Sequence, residues 1–292
     1  MTRRLAALVA LFLVAACGSA PPKAAPPPAT KAPAIAWTTK LGVDHPLVGT
    51  VWDVAHEKAI DRQELLARLG SADKVLLGEK HDNPDHHRLQ ADELRAAASA
   101  SADKPLLVWE LLEPSESAWP PWEDYAPIHD VAALLKLPMI GTAWPRAEMR
   151  ALVRDPERLR KELGSAATLP EPARASLLEE LRRDHCGHLP ESMVVAMELA
   201  QRLKDATMAA KMTSSPRAVL IAGNGHVRND RGVPFYLAGS KNVVSIGHLE
   251  VETAATDPRA YASAMGASKL PFDYVVFTPR ATDEDPCEAF HK

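Results

Sequence analysis

Two segments of this chain, LLGEKHDNPDHH around Glu79 and LIAGNGHVRNDRGVP around His226, run as apolar strands and stop abruptly at glycine, then charged and imidazole side chains. In an open parallel α/β sheet that transition marks the carboxyl end of a strand, where ligands bind. The two ends are far apart in sequence. They can share a crevice only if folding sets their strands side by side.

The rest of the chain supplies such a sheet. Asp61-Arg62-Gln63-Glu64 reads as a capping box opening a short helix, Glu64–Leu69. Strands are predicted over 74–78, 105–111 (ending in Glu110), 139–144, 218–223, 243–247 and 274–278. Helices are predicted from Pro84 to about Ala100 and over 126–136 and 145–153, with Pro84 as a first helical residue. Strand, helix, strand, helix predicts an α/β fold, a parallel-type sheet flanked by helices. Residues 155–212 show no strand pattern and are read as a small α-helical insertion subdomain. Within them Met193, Met197, Met208 and Met212 share a helix, either as core packing or as a soft wall for a flat apolar ligand.

The N-terminus predicts export. Arg3 and Arg4 precede LAALVALFLVAA, too short an apolar stretch to span a bilayer comfortably, and Val14-Ala15-Ala16-Cys17 has the form of a lipobox. The expected organisation is a lipoprotein signal peptide over 1–16, a lipidated (palmitate-bearing) Ala/Pro-rich tether over 17–36 beginning at Cys17, and one α/β domain over 37–292. Gly18, in place of an aspartate, favours the outer membrane, facing the periplasm. The net charge of −4 argues against nucleic-acid binding. Besides Cys17 only Cys186 and Cys287 remain, and an even pair in an oxidising compartment predicts a disulfide.

Glu79, His81, Asp82, His86 and His87 crowd one strand-to-helix junction, where they could serve as metal ligands, an acid/base pair or a hydrogen-bonded scaffold. His86 and His87 are adjacent on a helix, about 100° apart, so they do not face one ligand together. No HExxH helix is present. Gly223-Asn224-Gly225-His226 permits close backbone approach, with His226 and Arg228 expected to project into the crevice. GxGxxG is not satisfied, which excludes a dinucleotide fingerprint, and no G-x-S-x-G elbow exists.

LLGEKHDNPDHHRLQ, W-E-D-Y-A-P, H-C-G-H-L-P-E-S-M, G-N-G-H-V-R-N-D-R-G-V-P and D-Y-V-V-F-T-P-R together resemble the ChaN-like haem-binding lipoproteins, in order, from about residue 48 to 290. The resemblance implies a parallel α/β core with a small helical subdomain and an apolar groove for haem. It also implies a role in iron or haem acquisition, handled with an outer-membrane haem receptor, and a homodimer around two stacked haems with a tyrosine on iron and a histidine from the partner assisting. Tyr125, beside Trp119 and Trp122, and Tyr236 are the candidate tyrosines, with His86 and His87 as further haem-binding candidates; Tyr274 reads as core. More distantly the chain resembles the erythromycin-esterase, TIKI and TraB-like proteins. That likeness implies a hydrolase or metal-dependent enzyme using Glu79, His81 and His226, with Glu110 and Arg228 orienting the site; Glu79, His81 and His226 would be the metal ligands. A binding protein is favoured over an enzyme.

Overall fold

In the computed structural model, residues 35–114, 123–164, 168–285 and 287–288 are described; the leader, Cys17, Trp119 and Trp122 lie outside them. In chain order the first elements are β1 (Val51–Asp53), β2 (Lys58–Ile60), α1 (Arg62–Gly70), β3 (Lys74–Glu79), α2 (Pro84–Ser99), β4 (Leu106–Trp109), α3 (Ala126–Leu135) and β5 (Met139–Gly141). They continue with α4 (Arg146–Arg154), α5 (Pro156–Leu163), α6 (Glu171–Asp184), α7 (Glu191–Thr213), β6 (Ala218–Gly223), α8 (Val233–Tyr236), β7 (Val243–Glu250), α9 (Tyr261–Ala264) and β8 (Tyr274–Thr278).

The strands form one eight-stranded sheet ordered β2-β1-β8-β7-β3-β6-β4-β5. Its pairs from β8 to β5 are all parallel. β3 is buried at all six positions, which explains its unbroken apolar run: a parallel strand covered on both faces has no solvent side to alternate toward. Val75 and Leu77 enter one core with Leu65, Leu94 and Trp109, while Leu76 enters the other with Leu220, Met212 and Phe277.

The sequence reading missed β1 and β2, an antiparallel hairpin added to the edge at β8. Three-residue strands carry too short a pattern to register. The third predicted strand is shorter than 139–144, ending at Gly141, and β7 runs on to Glu250. A Cβ on Gly141 would sit 2.1 Å from the Leu112 carbonyl oxygen, so only glycine lets these backbones approach.

Helix starts follow local chemistry. Asp61 caps α1 by accepting from Gln63 N–H rather than through a Glu64 box, and Asn83 caps α2 by accepting from Asp85 N–H, with Pro84 first in the helix. From α4 to α7 the described regular elements are all helices, and Leu152, Leu159, Leu163, Leu199 and Leu203 make a core of their own. Arg228 and Arg231 after β6 share Glu180 of α6, which fastens this helical layer to the sheet. At the end of α6, Cys186 lies with its Sγ 2.02 Å from that of Cys287, 101 residues later, with Cα atoms 5.6 Å apart.

Candidate functional site

The sheet register creates the site. β3 and β6 pair in parallel with Glu79 opposite Gly223, so the two segments that end in charge stop at the same level. β4 lies on the far side of β6, and Glu110, one residue past its end, donates its backbone N–H to the Ile221 carbonyl. Its carboxylate then folds over the β6 end and accepts the Gly223 N–H at 2.9 Å. A Cβ on Gly223 would come within 3.3 Å of His81 Nε2, so a larger residue here would press on the imidazole.

Two charge systems meet above these strand ends. In the first, Glu79 Oε1 accepts from His81 Nδ1–H at 2.7 Å and from the Tyr125 hydroxyl at 2.7 Å. His87 Nε2 stands 3.5 Å from Glu79 Oε2, and its ring stacks on Tyr125 at 3.8 Å between centroids. In the second, His226 is held between two buried carboxylates, Nδ1 to Asp205 at 2.5 Å and Nε2 to Glu110 at 3.0 Å, with Lys204 Nζ 3.2 Å from Glu110. The systems touch where His81 Nε2 lies 4.0 Å from Glu110 Oε2.

Burial and charge set the protonation states. Burial disfavours a charged His226, but Glu110 and Asp205 outweigh it and raise its pKa to about 9. Burial would raise Glu110 too, yet His226 and Lys204 hold it well below the usual carboxylate range. Asp205 is pushed up by burial against the pull of His226. At His81 burial opposes charge, and the Glu79 hydrogen bond with the fields of Glu110 and Glu79 lifts the ring above the ordinary histidine value.

His81 lines two cavities. One, about 730 Å³, is walled by half-buried Trp144, Met149, Val153, Met193 and Met197, with Glu110 and Lys204 beside His81. Exposed Arg146, Arg150 and Arg154, at four-residue spacing on α4, line it too, and none of them forms an ion pair among the described residues. The indole Nε1 of Trp144 is buried with no hydrogen-bond partner there. The other cavity, about 720 Å³, carries more charged groups, among them Glu79, Lys80, Arg228 and Glu250, beside the turn 223–225.

The predicted residues fall into three groups. Glu79, His81, Glu110 and His226 come together as expected. As a metal set, however, Glu79, His81 and His226 fail: both His226 nitrogens are occupied by carboxylates, and no group of three His, Cys, Asp or Glu side chains among the described residues could hold a metal ion. Arg228 lines the cavity that Glu79 and the turn 223–225 also line, with its buried guanidinium bound to Asp230 at 2.9 and 2.7 Å and to the Met265 carbonyl at 2.9 Å.

The four haem-binding candidates are placed away from the apolar cavity. His86 is fully buried, accepting the Lys80 N–H at 2.9 Å and bonded to Thr278 Oγ1 at 2.8 Å; burial drives its pKa well down. His87 bonds the Asp124 carbonyl at 3.1 Å. Tyr125 is buried against Trp109 and His87, and burial with the neighbouring Glu79 raises its hydroxyl pKa. Tyr236 is half-buried with its hydroxyl turned inside beside Arg202, and burial again raises its pKa. Tyr274 is core, as read, its hydroxyl meeting Arg68.

Asp205, Trp144, Lys204 and the three arginines were not singled out from sequence. The arginine stripe was visible as i, i+4, i+8 spacing beside Met149 and Val153. Asp205 gave no signal, because its link to His226 crosses from α7 to the β6 loop.

No curated protein matches the chain. Among solved structures, ChaN of Campylobacter jejuni, described for cofacial haem binding, matches with a TM-score of 0.59 at 19% identity over 77% of this chain and 95% of that one. That likeness shows a shared fold. An erythromycin esterase, EreC, in its open conformation aligns at 12% identity over 86% of this chain and 99% of its own, with a TM-score of 0.41. The family model for haem-binding uptake proteins of the Tiki superfamily, ChaN, matches residues 65–118 and 113–237. The register that joins Glu79 to Gly223, the ChaN fold and this match agree: the chain belongs to the ChaN family of haem-binding uptake proteins in the Tiki superfamily.

Proposed function

We propose that this chain binds haem in the apolar cavity between α4 and α7. The observation that carries the reading is the composition of that cavity: a half-buried wall of Trp144, Met149, Val153, Met193 and Met197 beside three arginines without carboxylate partners among the described residues. Haem brings a flat apolar ring, two propionates that need cations and an iron that needs an axial donor. The residues fit it. Methionine and tryptophan suit the ring face, and the arginines and the unpartnered Trp144 N–H suit carboxylates.

Around that core reading stand finer ones. The segment 1–16 acts as signal peptide, Cys17 carries the lipid, and residues 17–36 tether the 37–292 domain, with its 155–212 helical subdomain, to the periplasmic face of the outer membrane. Cys186 and Cys287 are oxidised there, a pairing supported by the fold bringing their Cα atoms within 5.6 Å. Two copies share a cofacial haem pair, as described for Campylobacter jejuni ChaN, and the protein works in iron and haem acquisition with an outer-membrane receptor.

Hemin titration of the full chain tests the core reading. A shifted Soret band is expected, and Arg146→Ala/Arg150→Ala/Arg154→Ala should weaken binding by about 10-fold or more, as expected when charge-assisted hydrogen bonds worth ~1.5–3 kcal/mol each are lost. An unshifted Soret band at micromolar hemin would sink it.

A second reading, a hydrolase, is favoured by one feature: His81 is oriented by Glu79 and leaves Nε2 facing a cavity, the geometry of a general base. Turnover of an ester panel that disappears in His81→Ala would support it, and no turnover in the wild type would end it.

A further inference from the structure

We propose that His81, rather than a tyrosine, is the side chain by which this chain ligates haem iron; the inference rests on the haem-binding reading above. The chain has four tyrosines, and all are described. Tyr125 gives its hydroxyl to Glu79, and Tyr236 buries its own beside Arg202. Tyr261 accepts the Glu252 N–H at 2.8 Å and donates to the Ala255 carbonyl at 3.2 Å, and Tyr274 meets Arg68. None of the four lines the apolar cavity. A phenolate on iron would require one of these hydroxyls to break its contacts and cross the interior.

His81 meets the requirements that the tyrosines do not. It is the one imidazole on the apolar cavity wall among the described residues, and its side chain is 48% exposed. Its Nδ1–H is given to Glu79, which fixes the tautomer and leaves the Nε2 lone pair outward. The nearest carboxylate oxygen to Nε2, on Glu110, is 4.0 Å away, beyond hydrogen-bond range. Glu79 is itself buried and fixed by Tyr125.

A buried carboxylate behind a ligating imidazole both sets the ring's orientation and raises its basicity, which favours the ferric state. On this assignment Tyr125 keeps a role one step removed: it positions Glu79, which positions His81. Met193 and Met197 share the wall, but thioethers favour the reduced metal and have no such support.

The test compares hemin and iron-free protoporphyrin IX, each added to the full chain and its variants, by absorbance and fluorescence. In the wild type, hemin gives a shifted Soret band. His81→Gly should change that band, lower hemin affinity by at least about 10-fold, and recover the wild-type spectrum when imidazole is added. The same variant should bind protoporphyrin IX as the wild type does, which shows the cavity intact. Tyr125→Phe, Tyr236→Phe and Tyr261→Phe should keep an imidazole-type spectrum. Glu79→Gln should lower hemin affinity by about 10–100-fold without loss of protoporphyrin binding. An unchanged hemin spectrum in His81→Gly, or loss of the spectrum in any tyrosine variant, overturns the assignment while leaving haem binding in place. Failure of the wild type to bind either porphyrin overturns the haem reading and the ligand assignment together.

Discussion

His226→Gln tests the electrostatics of the site through stability alone. The imidazole sits between Glu110 and Asp205, fully out of water, with a pKa of about 9 against an ordinary 6.5. At 1.36 kcal/mol per pKa unit, that difference links roughly 3 kcal/mol of folding free energy to proton binding. A pKa raised in the folded state gives stability that is fully present below about pH 6.5 and is lost as pH climbs through about 9. The wild type should therefore exceed the glutamine variant most near pH 6, and the gap should shrink by about 3 kcal/mol by pH 9.5. Glutamine keeps the size and donor capacity but no titratable proton, so groups remote from His226 cancel in the difference, while Glu110 and Asp205, whose titration His226 governs, contribute to it. Urea unfolding followed by circular dichroism at pH 6, 7.5 and 9.5 gives the three gaps. A gap independent of pH would mean that His226 is neutral in the folded protein, and a gap that widens with pH would reverse the reasoning.

Replacing Cys186 and Cys287 together by serine should lower stability by about 2–4 kcal/mol, since the link spans 101 residues, and thiol labelling of the unreduced native chain should show no free pair. Gly141→Ala should cost about 1–3 kcal/mol through forced separation of β5 from the Leu112 carbonyl, read as a lower urea midpoint; an unchanged midpoint would show that the segment after β4 yields freely.

Much of the sheet could be read from residues because its strands are buried on both faces, and such strands advertise themselves as unbroken apolar runs. β3, β6 and β8 were read nearly to the residue on that basis. The edge hairpin escaped because β2 is exposed and three residues long, with little apolar pattern to see. At the site, Glu79, His81, Glu110 and His226 could be found because each stands at a strand end. Their roles could not, since roles depend on which carboxylate reaches which nitrogen. Asp205 takes Nδ1 of His226 from a helix, and Glu110 takes Nε2 across β6, and that combination turns a metal-ligand candidate into a buried cation. His86, His87 and Tyr125 illustrate the converse: polar residues grouped in sequence beside a site can be its internal scaffold, satisfied by Thr278, Asp124 and Glu79.

The position of His81 on the walls of both cavities has a thermodynamic consequence. One imidazole, held by its bond to Glu79, belongs to both linings, so a guest in either cavity bears on the same side chain. By linkage, any change that a guest in one cavity makes in affinity for a guest in the other is returned in equal measure, with His81 as the side chain that both would share.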